Sequence, residues 1–347
     1  MSYRIISIQQ KEEWMQFVRR CLIYDFYHTW YYHSLEQDGG EPFLFVYQMD
    51  EKIIVFPLLK KRIEGTSFQD CTSVYGYPGP ISNVDFADMG EEMLKDFKIH
   101  FLNFLKSQGK ISVFSRLHPI INHEILLEQF GGLFENGRTI VIDLKDSIEE
   151  QRSKYRRRFR TKIRHLRNKG YQLKVASSDD EVRSFVNIYL ANMRRVEAKK
   201  YYFFDEEYFF NLLRATEFKC ILLLAYYDSE ITSGVLLTYS NKIMQFHLAA
   251  THESYLNDGP MKVLIDEASV LGRDQGMDYL HLGGGLGGEK DSLYQFKSGF
   301  SDQSLSFKTW RFKADETSYD LMVEDRGLTN AFNSDFFPLY RMAVSLD

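Results

Sequence analysis

The residues best suited to chemistry lie near the C-terminal end of the chain. In HLGGGLGGEKDSLYQFKSGF, five glycines fill six positions, and Phe296 and Lys297 follow eight and nine residues after the last of them. Gly283, Gly285 and Gly288 spell G-x-G-x-x-G after an expected strand. A dinucleotide site needs a whole βαβ unit around that pattern, and here antiparallel strands precede it. The helix that follows runs about eight residues before Gly299, too short for a crossover. NAD and FAD binding are therefore set aside. Gly283, Gly284 and Gly285 instead let the backbone pass close to something, either a ligand or the domain's own sheet. The short helix then presents Tyr294, Phe296 and Lys297 beside that point.

Three further segments carry chemistry. Asn257, Asp258, Gly259 and Lys262 surround Pro260, which is well placed to start a helix. Free N–H groups there favour phosphate or a developing negative charge, and a capped turn without ligand is the plain alternative. Residues 152–169 hold ten Lys/Arg and no acid, on a chain whose net charge is −5. Tyr155, Phe159, Ile163 and Leu166 form one helical face of that segment, with Arg156, Arg160, Arg164 and Arg167 alongside. Cations so concentrated repel one another, and a phosphorylated partner would relieve them: a coenzyme tail, a nucleotide-linked substrate, tRNA or an anionic membrane surface. In 193–209, Arg194, Arg195, Tyr201 and Tyr202 stand near a helix end as a polar mouth or as structural residues. His247, His28, Tyr75 and Tyr77 are candidates of the same double kind. Neither a metal-ligand spacing nor a G-x-S-x-G elbow is present in the sequence.

The elements that must hold these residues read as a mixed α/β chain with antiparallel hairpins. Helices are expected over about 10–37, 88–108 and 119–130 in the first half, with strands at FLFVYQ, KIIVFPLLKK, ISVFSRL and TIVIDL. In the second half, the basic helix and YQLKV precede helices over about 179–197 and 205–216. Three antiparallel strands, a helix over about 259–276, strand MDYLHL, a short helix over about 291–298 and strand SLSFKTWRF complete it. Aligning Asp50 with Asp228 superposes two hairpins and suggests two copies of one α/β domain, 1–146 and 147–347.

Composition is that of a globular chain: 44% hydrophobic and 26% charged residues exclude disorder and coiled coil. No apolar run approaches the ~20 residues of a membrane span, and the N-terminus lacks a secretory signal. Cys21, Cys71 and Cys220 form no C-x-x-C, so a cytoplasmic protein without disulfides is expected.

Together, YRRRFRTKIRHLRNKG, YLANMRRVEAKKYYFFDEEYF, HLAATHESYLNDGPMKVLIDEA and YLHLGGGLGGEKDSLYQFKSGFS resemble the FemAB/FemX-type acyltransferases and their CelD-like GNAT-type relatives. The first half joins through FPLL and SVYGYPGPI. The resemblance implies two tandem GNAT-like (acyl-CoA N-acyltransferase) domains and acyl or aminoacyl transfer to an amine. It implies acyl-CoA or aminoacyl-tRNA as co-substrate, with no tightly bound cofactor and no metal. The acceptor would be a small-molecule, nucleotide-linked or lipid-linked glycan or peptidoglycan precursor, or a precursor of another envelope polysaccharide. Contact with tRNA or the inner membrane surface is compatible with it, and DNA is not implied. By this match Lys297 is the lysine important for transfer, with Phe296 beside it; the base is a side chain such as His247 or simply water. Asn257, Asp258, Gly259, Lys262, the 283–285 glycines and Tyr294 fall to the donor, and Arg195, Tyr202, Tyr75, Tyr77 and His28 to the acceptor. No charged heptad arm is present, which favours the compact members. A non-catalytic tRNA- or nucleotide-binding module and a protein-directed acetyltransferase are the competing readings.

Overall fold

The computed structural model describes residues 2–36, 39–329 and 335–342. In chain order the first half contains β1 (Ser2–Ser7), α1 (Lys11–Arg20), α2 (Trp30–Ser34), β2 (Glu41–Met49), β3 (Lys52–Arg62), β4 (Gln69–Thr72), β5 (Ile81–Ser82), α3 (Glu91–Ser107), β6 (Lys110–Arg116), α4 (Glu124–Leu127) and β7 (Leu133–Asp143). There follow α5 (Ile148–Lys154), α6 (Arg157–Lys169), β8 (Gln172–Val175), α7 (Asp179–Arg195), α8 (Glu206–Leu213), β9 (Lys219–Tyr227), β10 (Glu230–Ser240) and β11 (Ile243–Thr251). The last elements are α9 (Met261–Asp274), β12 (Tyr279–Gly284), α10 (Ser292–Lys297), β13 (Ser304–Lys313) and α11 (Glu316–Asp325).

Two compact units emerge, Met1–Asn136 with Phe307–Asp347, and Gly137–Ser306. Each repeats one strand pattern. Unit 1 runs β1-β2-β3-β4-β6-β13, with β4 and β6 parallel and the other neighbours antiparallel. Unit 2 runs β8-β9-β10-β11-β12-β7, with β11 and β12 parallel and the rest antiparallel. The linear division at 146/147 is corrected accordingly. The last strand of each half completes the other unit's pattern: β7 pairs with β12, and β13 pairs with β6. A boundary drawn along the chain cannot see this exchange.

The two rhyming hairpins are real and tight. Met49 opposes Lys52 across Asp50-Glu51, and Tyr227 opposes Glu230 across Asp228-Ser229. Asp50, Asp228 and Ser229 take positive φ, the left-handed geometry that such two-residue turns require. The expected helix over 10–37 breaks instead. Asp25 and Thr29 each cap a new start, so α1 and α2 are separate pieces. The helix over 119–130 shrinks to α4, and β1 and α11 were not anticipated.

Unit 1 buries α3 through Met93, Leu94, Phe97, Phe101, Phe104 and Leu105, a helical spacing that lies on Phe45 and Phe56 of the sheet. Unit 2 buries Tyr155, Phe159, Ile163 and Leu166 against Val263, Leu264 and Ala268 of α9. Each such large side chain contributes on the order of 2 kcal/mol by leaving water. A buried carboxylate, Asp266, fixes that contact. It accepts two bonds of 2.9 Å from Arg152 and one of 3.0 Å from Arg167. Among the described residues no helix is long and apolar enough to cross a membrane.

Unit 1 also holds a buried histidine network. His28 receives Asp25 N–H at its Nδ1 (3.0 Å), and its Nε2 donates to Pro78 O (2.8 Å). His118 Nε2 donates to Asp25 Oδ2 at 3.0 Å, and His123 Nε2 accepts His118 N–H at 3.0 Å. Burial lowers the pKa of His28 to about 3 and of His33 to about 4, and that of His123 well below 6.5. The unfolded chain therefore takes up these protons first as pH falls. Each neutral histidine then costs about 1.4 kcal/mol of stability per pH unit below its free value. Thermal melts should show Tm falling steeply from about pH 6.5 toward pH 4, and a flat profile would contradict this account.

Candidate active site

Within unit 2, β11 and β12 begin side by side and then part. Their pairing covers Ile243↔Tyr279, Met244↔Leu280 and Gln245↔His281, and among the described residues no later pair joins them. Just beyond that point β11 bulges. Leu237 opposes Phe246 and Leu236 opposes Leu248, which leaves His247 as the extra residue. The backbone of β11 from Phe246 onward is thus released from the β12 ladder and can bind a ligand carbonyl. Beside it, Tyr208 of α8 meets His247 Nε2 at 3.0 Å. His247 is half-buried.

Past the parting, β12 ends in the glycine-rich turn. Gly283 (φ +73°), Gly287 (+64°) and Gly288 (+92°) need left-handed backbone. Gly284 and Gly285 need room: a Cβ on Gly284 would lie 2.6 Å from Arg138 O, and one on Gly285 2.1 Å from Glu289 O. The close approach is therefore to the protein's own chain. Asp291 ties the turn to α10, accepting Leu286 N–H at 2.9 Å and Tyr294 N–H at 2.8 Å. At the other end of α10, Lys297 Nζ donates to Gly284 O at 2.7 Å. Burial lowers the Lys297 pKa to about 8, with Asp291 acting in the opposite direction. Such an ammonium releases its proton far more readily than a surface lysine.

A cationic cluster lies at the start of α9. Lys262 Nζ sits 5.2 Å from the Phe159 ring centroid and 5.3 Å from that of Phe296. Its pKa is lowered by burial first, then by the charges of Lys162 and Arg158. Three cations that repel one another at a helix N-terminus make a place for an anion. Gly259 (φ +65°) brings the chain into that start, and a Cβ there would be 2.7 Å from Lys262 Nζ.

The remaining candidates divide. Asp258 is held by Lys169 at 2.6 Å and Tyr171 at 2.8 Å, and so shapes the turn. Tyr294 is buried with its hydroxyl 3.1 Å from Ser304 Oγ. Arg156 leaves the phosphate stripe: it donates to Gln295 O and Ser298 Oγ, both at 2.8 Å, and so positions α10. Arg160 and Arg164 are exposed on α6. Asn257 and Arg195 are exposed too, Arg195 donating to Asn192 Oδ1 at 2.6 Å. Tyr202 is half-buried, and its carbonyl accepts from Tyr189 OH at 2.8 Å. In unit 1, full burial and two occupied ring nitrogens make His28 a brace for the Tyr-rich loop and remove it from any acceptor site. Tyr77 packs edge-on against Tyr27 and Phe307, and burial pushes its pKa up to about 12. Tyr75 O accepts from Tyr32 OH at 3.1 Å. Sequence reasoning missed Tyr208, Arg158, Lys162 and Asp291. Arg158 and Lys162 lie in the basic run already singled out, and Asp291 left its own signal, an Asp three residues ahead of Tyr294 in the capping position.

Residues 153–298 match the family model described as Acetyltransferase (GNAT) domain. Among solved structures, FemX superposes with a TM-score of 0.70 at 14% identity, covering 92% of this chain and 99% of its own. The chain has the FemX fold, two tandem GNAT-like units. L-PGS from Bacillus licheniformis superposes at 0.57 with 13% identity, over 91% of this chain and 96% of that one. The C-terminal domain of a putative lysylphosphatidylglycerol synthetase from Agrobacterium fabrum gives 0.50 at 13% identity, over 82% and 89%. No curated protein sequence matches. The matched segment spans the α6 cations, the parting of β11 from β12, and Lys297.

Proposed function

We propose that this chain is an N-acyltransferase that moves an acyl or aminoacyl group from a phosphate-bearing activated donor to an amine of a cell-envelope precursor. One observation carries the reading: in one GNAT-type unit, β12 runs on from its parting with β11 into the turn whose Gly284 carbonyl holds the Lys297 ammonium, and Phe296 beside that lysine faces Lys262 at the start of α9. The FemX and L-PGS likenesses support the envelope side of the reading through their fold.

In this reaction the donor's phosphates rest on Lys262, Lys162 and Arg158, and its acyl carbonyl accepts an N–H from the freed edge of β11. The amine nitrogen attacks the carbonyl carbon, forming the C–N bond and an oxyanion that the N–H stabilises. Collapse breaks the bond to the donor sulfur or oxygen. Lys297 gives its proton to that leaving atom, and His247 or water takes the proton the amine sheds. Acyl-CoA and aminoacyl-tRNA both satisfy this scheme. Melting the protein with acetyl-CoA, longer acyl-CoAs and charged tRNA in turn identifies the donor, since a ligand at 100 times its Kd adds about 2.7 kcal/mol. The double variant K162E/K262E should abolish that stabilisation, and wild-type affinity should fall as salt rises. Binding unaffected by the double variant, or stabilisation without any acylated amine, would replace this reading with that of a binding module.

A further inference from the structure

The C-terminal end of α7 leads into a tip where cations and apolar side chains share the surface. Glu197 turns the chain with φ +50°, and AKKYYFF follows. Val196 is 50% exposed, Tyr201 53% and Phe203 37%, with Arg194, Arg195, Lys199 and Lys200 exposed around them. Glu197 is the one acid in 194–204. Of the acids that come next, Asp205 caps α8 through Tyr208 N–H at 2.9 Å and Glu206 pairs with Arg183 at 3.1 Å, while Glu207 is exposed in the first turn of α8. The bond from Tyr189 OH to Tyr202 O anchors the tip on α7.

Apolar and aromatic side chains held in water beside lysines and arginines suit a bilayer interface. There the rings sit among headgroups, and the cations meet anionic phosphates. Nucleic acid would use ring faces as stacking platforms. Here Tyr201 and Tyr202 already lie together at 4.3 Å, Phe204 stacks on Tyr208 at 4.2 Å, and Val196 has no ring. We propose that the 194–204 tip docks the protein on a bilayer carrying anionic phospholipid. Val196, Tyr201 and Phe203 enter the interface, and Arg194, Lys199 and Lys200 hold headgroup phosphates. The tip continues into α8, whose Tyr208 touches His247 on β11, so docking sets the open edge of β11 toward material at the membrane. That orientation rests on the proposed transfer site, whereas the docking itself does not.

Vesicle sedimentation of the full chain tests it, using phosphatidylcholine alone and phosphatidylcholine with roughly one third phosphatidylglycerol. Binding to the anionic vesicles alone is expected. K199E/K200E and Y201S/F203S should each lower the partition coefficient by about tenfold or more, with unchanged Tm. A polarity-sensitive dye on Tyr201→Cys should shift to the blue with anionic vesicles, the native Cys21, Cys71 and Cys220 being buried. No binding, binding undiminished in both variants, or a dye shift produced by tRNA and not by vesicles would overturn the proposal.

Discussion

Lys297→Met is expected to slow acyl transfer by about 10²- to 10³-fold while leaving the protein folded. The thioether chain fills a similar volume, and it spares the fold the cost of enclosing an ammonium. What disappears, on the proposed mechanism, is the proton that the departing sulfur or oxygen receives. The pH dependence separates this role from simple packing. With a pKa near 8, Lys297 carries its proton below that value and loses it above, so kcat should fall as pH rises through about 8. Lys297→Arg keeps its charge beyond pH 12 and should remove that alkaline limb, even if the rate drops. Asp291 favours the charged lysine, so Asp291→Asn should move the limb to lower pH. Rate–pH profiles of the four proteins, measured with a donor and acceptor that support transfer, check all three expectations. Full turnover in Lys297→Met would remove the residue from the chemistry.

Local rules carried the sequence reading a long way, and they failed where distant segments decide the outcome. The basic segment's buried face, Tyr155, Phe159, Ile163 and Leu166, follows from 3.6-residue spacing. The hairpins at Asp50 and Asp228 follow from strand-turn-strand pattern. The exchange of β7 and β13 leaves no such trace, because a strand's own residues mark it as a strand and do not name the partner it pairs with far along the chain. The charges show the same limit. Ten cations without an intervening acid look unpaired, yet Arg152 and Arg167 find Asp266, Lys154 finds Asp146 and Lys169 finds Asp258. About half of the stripe is therefore structural, and its surplus gathers at Arg157, Arg158, Arg160, Lys162 and Arg164. His28 was legible as a histidine among tyrosines. Its burial, which changes its meaning, depends on Pro78, fifty positions away.

The glycine-rich turn gives a second large effect, and it comes from space and not from backbone angle. Gly285 has φ −80°, open to any residue, but a Cβ there would stand 2.1 Å from Glu289 O and 2.3 Å from Asp291 Oδ1. Gly285→Ala must therefore push Asp291 away, which frees Leu286 N–H and Tyr294 N–H together. The overpacking costs about 1–3 kcal/mol, and the lost cap roughly another 1 kcal/mol. Lys297 ends the helix that this cap begins, so its ammonium leaves Gly284 O and, on the proposed mechanism, the donor's departing atom. A displacement of ~1 Å at a positioned group is enough to cost about 10²-fold in rate. Gly287→Ala is the control. Its φ of +64° makes alanine strained by about 1–2 kcal/mol, but nothing lies within 4 Å of the new Cβ, so Asp291 stays in place. Both variants should lose stability in thermal melts, and only Gly285→Ala should lose turnover out of proportion to the fraction unfolded. Equal turnover in the two would mean that the turn contributes folding energy alone, and that Lys297 is positioned by contacts other than the Asp291 clasp.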